Sequence, residues 1–126
     1  MIQQKTIIRI ADNSGAKTAR CIKLLGGLKK KKITLGNILV VSVKNIRNWS
    51  KKTAKVKKKE IHQALLLRVK TNKKNKNGFE TNFYENSVAL LNKQGNPIGN
   101  RISGPLHEKL KKQKYKKFFS ISPGFV

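Results

Sequence analysis

Few side chains in this sequence could move a proton or hold a metal. The carboxyl groups belong to Asp12, Glu60, Glu80, Glu85 and Glu108, and the imidazoles to His62 and His107. General acid–base catalysis needs such groups converging on one point with shifted proton affinities, and these are scattered along the chain. Glu60 and His62 share a face of any regular strand that contains them, a spacing far commoner in a surface pair than in a catalytic dyad. His107 beside Glu108 supplies two ligands of unlike position, too few to hold zinc. Cys21 is the single cysteine, which excludes an internal disulfide and any multi-cysteine zinc site. Set among the apolar residues of Ala19–Leu25, it reads as a buried, inert thiol. A glycine-rich phosphate loop and a Ser, His and Asp arrangement are both missing. The residue types argue against an enzyme and call for no cofactor and no metal.

What the chain has in excess is positive charge. Thirty Lys and Arg stand against 5 Asp and Glu, a formal +25 on 126 residues. Repulsion on that scale opposes a compact state until a polyanion neutralises it. Nucleic acid fits, because each phosphate neutralised releases condensed counterions. Among the basic residues 25 are Lys and 5 are Arg. Lys serves phosphates as a point charge, whereas base reading favours the Arg fork; an AT-rich coding sequence explains the same bias equally well. The charge gathers in Lys29–Lys32, Lys51–Lys59, Lys73–Lys76 and Lys109–Lys117. One such run reads most simply as a solvated face, but four on a small chain with almost no acid read as a phosphate-tracking surface. The residues nominated for RNA are Lys17, Lys23, Lys29, Lys30, Lys31, Lys32, Arg47, Trp49, Lys51, Lys52, Lys55, Lys57, Lys58, Lys73, Lys74 and Lys76. Trp49, inside a basic loop, either stacks on a base or packs against the rim of the fold or a neighbouring protein; packing is the favoured reading. Of Phe79, Phe83 and Tyr84, at least one is expected in the core. The other polyanion, an anionic membrane, finds no spanning segment: the apolar stretches Ile38–Val43 and Ala64–Leu67 are far too short.

The elements that must position these groups read as strands. Thr6–Ala11, Thr18–Leu25, Ile38–Ile46, Ile61–Lys70 and Phe83–Leu91 are short, apolar or β-branched runs. Between them lie the Asp12–Gly15 turn, Gly26-Gly27, a Lys-rich loop or long, twisted hairpin tip over Arg47–Lys59, and a polar loop over Thr71–Gly78. Five such strands predict a small mainly-β fold, a closed antiparallel barrel that leaves no sheet edge exposed. Beyond Gly104-Pro105, Leu106 and Leu110 stand four apart with Tyr115 further on, which predicts a short amphipathic helix over Leu106–Tyr115. The expected organisation is one domain over residues 1–126, a barrel with basic loops over 1–105 and a helical extension over 106–126.

Specific strings carry a family resemblance. Ala11-Asp12-Asn13-Ser14-Gly15-Ala16-Lys17, then Cys21-Ile22-Lys23-Leu24-Leu25-Gly26-Gly27, resemble the start of the bacterial-type universal large-subunit ribosomal protein fourteen. Asn96-Pro97-Ile98-Gly99-Asn100-Arg101-Ile102-Ser103-Gly104-Pro105 resembles a second motif of that family. Ala64–Leu67, Asn77-Gly78, Phe83, Asn86 and Leu90-Leu91 resemble its central signature. The resemblance runs the length of the chain. Ala89 stands where the signature has Val, Asn100 where the family usually has Thr, and the Arg47–Lys59 loop is longer and richer in Lys than usual.

That resemblance implies a five-stranded barrel and a structural place in the large ribosomal subunit, at the subunit interface. It implies contacts with large-subunit rRNA, with neighbouring large-subunit proteins of the three and nineteen type, and with small-subunit rRNA in an intersubunit bridge. By motif position, Asn100, Arg101, Lys117 and Ser120 correspond to the surface on which a ribosome-silencing factor docks. Competing classes are a free-standing nucleic-acid chaperone, a membrane-active cationic protein and, last, an enzyme. The absence of a visible presequence, together with the Lys, Asn and Ile usage, favours a mitochondrial ribosome with the protein encoded in the organelle, ahead of a plastid or an AT-rich bacterium.

Overall fold

The computed structural model describes residues 2–26, 35–70, 73–74 and 76–126. Among these residues seven strands are formed: β1 (Ile7–Ile10), β2 (Ala16–Leu24), β3 (Ile38–Ile46), β4 (Ile61–Arg68), β5 (Lys73–Lys74), β6 (Glu80–Thr81) and β7 (Ser87–Leu91). Five of them close a barrel in the order β1-β2-β3-β4-β7. Neighbours run antiparallel, except that β1 meets β7 in parallel through Arg9↔Ser87 and Ile10↔Val88. The closed, mainly-β barrel expected from the strand pattern is present, and its one parallel seam follows from parity. With an odd number of strands that reverse direction at each step, the first and last point the same way.

Alternation fills the interior. Leu39, Val41 and Val43 of β3 turn inward while Val40, Ser42 and Lys44 alternate with them, only partly buried. In β2 the inward residues Ala16, Ala19, Cys21 and Leu24 are unevenly spaced. Bulges between Ala16 and Ala19 and between Cys21 and Lys23 absorb the extra residues and bend the strand round the small barrel. Cys21 is buried at 1% exposure, and desolvation holds its thiol above the ordinary range.

β4 and β7 do not alternate, because both of their faces are covered. Ala64, Leu66, Val88 and Leu90 belong to the barrel interior. Leu65, Leu67, Ala89 and Leu91 face a second core made with Ile102, Leu106, Leu110 and Phe118. The unbroken apolar runs in the sequence are the signature of strands buried on two sides.

The outer cover is not the helix expected over Leu106–Tyr115. Leu106 pairs with Phe125 in a parallel bridge, and 3₁₀ turns follow at Glu108–Leu110 and Gln113–Tyr115. The α-helix, α1, comes later and is short, Lys116–Ser120. Lys109, Lys112 and Lys116 would stack on one face of a continuous helix, and like charges three and four apart oppose it. Leu106 and Leu110 are buried all the same. Tyr115 ties this segment to the barrel, its hydroxyl donating to the Gly36 carbonyl at 2.5 Å. The polar loop over Thr71–Gly78 also differs from expectation, since β5 and β6 form a two-stranded ribbon with Lys74 opposite Glu80.

Candidate nucleic-acid interface

The basic loop between β3 and β4 is the best-built part of the surface. It opens with a 3₁₀ turn at Asn48–Ser50, whose Ser50 carbonyl accepts from Thr53 and Ala54 N–H at 3.1 and 2.7 Å. The loop then folds back on the Asp12–Gly15 turn. Arg47 N–H donates to Gly15 O and Lys55 N–H to Ser14 O, both at 2.9 Å. Arg47 Nη2 reaches Ile10 O at 3.1 Å, and Val56 is buried in the barrel core. Burying one such side chain contributes about 1.5 kcal/mol or more. A loop read from sequence as irregular is therefore pinned at both ends and in its middle. Lys51, Lys52, Lys55, Lys57 and Lys58 all stand exposed on it.

Gly15 makes that clamp possible. Its φ is +98°, and a Cβ there would lie 2.6 Å from the Ala54 Cβ. Beside it, Asp12 is buried, with Oδ1 accepting from Ser14 N–H at 3.1 Å and Ser14 Oγ–H at 2.5 Å, and Oδ2 from Leu90 N–H at 2.8 Å. Asn13 Oδ1 accepts from Asn100 and Arg101 N–H at 2.7 and 3.2 Å. One four-residue turn thus fixes the basic loop, strand β7 and the segment at 99–101.

Around Trp49 the structure removes one half of the favoured reading, packing on the barrel rim, and leaves a neighbouring protein as the other half. Its ring is 76% exposed instead of packing on the barrel rim, and the Arg47 guanidinium lies 5.6 Å from its centroid. Phe79 and Tyr84 are also exposed, and Phe83 is half-buried with its ring edge-on to His107 at 6.0 Å. None of the three enters the core, because Val88 and Leu90 already fill it from β7.

Lys17 and Lys23 project from β2 and are exposed. Lys29, Lys30, Lys31 and Lys32 lie outside the described residues. On the ribbon, Lys73 belongs to β5, Lys74 Nζ sits 3.6 Å from Glu80, and Lys76 is exposed. Lys74, Lys76, Asn77, Glu108 and Lys109 line one cavity of about 350 Å³. The ribbon and the C-terminal segment thus share a basic surface, and Lys109 joins it through contacts distant in sequence.

Asn100, Arg101, Lys117 and Ser120 are brought to one side of the molecule. Ile102 N–H donates to Ile121 O at 3.0 Å, which sets Arg101 and Ser120 one residue either side of a shared bond. Ser120 Oγ–H donates to Lys117 O at 2.9 Å, and Lys117 Nζ donates to Asn96 Oδ1. All four side chains are exposed.

Glu60 and His62 stand side by side, Glu60 exposed and His62 half-buried, with His62 Nε2 3.3 Å from Glu60 Oε2. The Glu60 carboxyl is held below its usual range, first by the Lys57 N–H that donates to it at 2.7 Å and then by His62. Among the described residues no group of three or more His, Cys, Asp or Glu could hold a metal ion, and no helix is long and apolar enough to cross a membrane.

Sequence reading passed over Arg20 and Lys44, and drew Lys59 only into the run Lys51–Lys59 without nominating it for RNA. Arg20 and Lys44 are single cations within strands, where no run of charge drew attention to them. The barrel aligns them through the register Arg20↔Ser42.

The family of ribosomal protein L14p/L23e matches residues 1–126, the whole chain. With a closed five-stranded barrel and a short helix near the C-terminus also in place, the chain belongs to the ribosomal protein L14p/L23e family and has its structural, non-enzymatic role in the large ribosomal subunit.

Proposed function

We propose that this protein binds large-subunit rRNA by multivalent phosphate neutralisation, with lysines held in fixed positions by the barrel. The observation that carries this reading is the clamped loop. Lys51, Lys52, Lys55, Lys57 and Lys58 are exposed on a segment whose backbone bonds to Ser14 and Gly15. Lysines on a pinned loop lose less freedom on meeting phosphates than lysines on a free one. Lys17, Lys23, Lys74 and Lys76 add further exposed cations, and Trp49 with Arg47 over its ring suits stacking on an unpaired base or contact with a neighbouring protein.

The exposed group Asn100, Arg101, Lys117 and Ser120 is assigned to partners at the subunit interface: small-subunit rRNA in a bridge, or a ribosome-silencing factor. Large-subunit proteins of the three and nineteen type are the proposed neighbours. The proposed compartment is the mitochondrion, and co-sedimentation with purified mitochondrial large subunits tests it; absence from that fraction rejects it.

A filter-binding titration with large-subunit rRNA tests the mechanism. For about 6–10 phosphate contacts, affinity drops roughly 10³–10⁵-fold between about 50 and 200 mM salt. A flat response rejects phosphate neutralisation.

A further inference from the structure

The outer wall of β2 and β3 carries a groove separate from the tip of the basic loop. It encloses about 320 Å³ and is lined by Arg20, Ser42, Val43, Lys44, Asn45, Lys58 and Lys59. Four of these are cations and none is an acid. Arg20 and Ser42 are cross-strand partners, and Lys44 lies two residues further along the same face of β3. Lys59 is brought in by its N–H, which donates to Val43 O at 2.8 Å. Glu60, next in sequence, lines the adjoining cavity with Ile61 and His62 instead, and its Oε2 accepts the Lys57 N–H.

Two details set this groove apart from a merely solvated charged face. Arg9, Arg47 and Arg68 each bond to this chain, at Glu85, Ile10 O and Pro105 O respectively. Among the described residues Arg20, like Arg101, makes no side-chain hydrogen bond or ion pair, and it lines this groove. Lys59 has φ +69°, a left-handed backbone that glycine or asparagine adopts more readily. Strain of this kind persists where the surroundings over-determine the residue, and it gathers at ligand sites. Lys59 lines the groove together with Lys58 and Lys44.

We infer that this groove is a subsite for the phosphodiester backbone of RNA, with Arg20 forking a phosphate and Lys44, Lys58 and Lys59 neutralising it and its neighbours. The inference rests on the RNA-binding reading above and adds a location to it. Arg20 lies four residues along β2 from the Gly15 end, about 13 Å at strand rise. RNA therefore contacts the protein at the barrel end and again along its wall.

Two measurements on the full-length chain decide it. In the first, wild-type protein is acetylated with and without large-subunit rRNA, and each lysine is read by mass spectrometry. Lys44 and Lys59 are expected to be protected together with Lys51 and Lys52. In the second, the salt dependence of rRNA binding is compared for wild type, a wall variant (Arg20→Gln, Lys44→Gln, Lys59→Gly) and a tip variant (Lys51→Gln, Lys52→Gln). The wall variant should flatten the log–log slope by about 2 to 3, since each contact contributes about 0.7–0.9. Gly at position 59 suits the backbone there, and a thermal melt verifies that the wall variant folds. A wall variant with the wild-type slope, beside a tip variant with a reduced one, overturns the groove and leaves the RNA reading standing. A flat wild-type slope overturns both. Protection of Lys44 and Lys59 by polyglutamate but not by rRNA assigns the groove to an acidic protein and also overturns the inference.

Discussion

At the scale of single residues, the turn at Asp12–Gly15 carries more of the molecule than its length suggests. Asp12 is 2% exposed and satisfies the Leu90 N–H in the middle of β7 as well as two donors of Ser14. Asp12→Ala strands a buried strand N–H and opens the turn at once. An unsatisfied buried donor costs about 1–3 kcal/mol, so a loss of about 3 kcal/mol is expected for the pair of effects, read as a lower urea midpoint. Asp12→Asn keeps one acceptor for Ser14 but must turn an amide N–H₂ either toward Ser14 or toward the Leu90 N–H, and it should lose about half as much. Equal stability of Asp12→Ala and wild type would refute the role given to this carboxyl. The sequence marks these residues as a turn through their types. It does not show that Asn13 Oδ1 holds the backbone at Asn100 and Arg101, because that contact spans most of the chain and leaves no local pattern.

At the scale of elements, the strands were legible and the connections were not. Alternation in Ile38–Ile46 and the double-sided apolar runs Ala64–Leu67 and Val88–Leu91 announce their burial before any fold is known. The Lys-rich loop over Arg47–Lys59 has no period, since it is held by backbone bonds to Ser14 and Gly15 and by the single plug of Val56. The helix misplaced over Leu106–Tyr115 shows the limit of apolar spacing: Leu106 and Leu110 are both buried, yet by way of 3₁₀ turns. Gly15→Ala tests the clamp. Its Cβ would meet Ala54 at 2.6 Å on a backbone with φ +98°, so the loop must lift away, with a loss of about 1–2 kcal/mol and a weaker grip on rRNA. An unchanged rRNA affinity would show that loop placement does not matter for binding. Removal of residues 106–126 tests the outer core. It uncovers Leu65, Leu67, Ala89 and Leu91, and each Leu loses about 1.5–3 kcal/mol of burial. Against a total of about 5–15 kcal/mol for a domain, the truncated chain should bind hydrophobic dyes and lose its cooperative unfolding. A sharp transition at the wild-type midpoint would mean the cover is dispensable.

At the scale of the whole molecule, one quantity acts in two opposite directions. The formal charge of +25 on 126 residues destabilises the free fold by self-repulsion and drives its association with a polyanion. Among the described residues the Lys and Arg ion pairs are Arg9–Glu85 and Lys74–Glu80, with much of each side chain in water. Exposed pairs contribute little, so they leave the repulsion essentially uncompensated. Added salt screens this repulsion over about 10 Å at 0.1 M. The thermal midpoint of the free protein should therefore rise as salt is raised from about 0.02 to 0.3 M, while affinity for rRNA falls over the same range. Bound rRNA should raise the midpoint most at the lowest salt, because a ligand of the folded state stabilises it in proportion to its affinity. A scanning-fluorimetry grid of salt against rRNA reads both trends on one preparation. With rRNA present, the two salt effects oppose each other, and the midpoint should pass through a minimum where binding has weakened but screening is incomplete. A midpoint of the free chain that falls steadily with salt would show that attractive ion pairs outweigh the repulsion, and the barrel would then not depend on RNA to offset its charge.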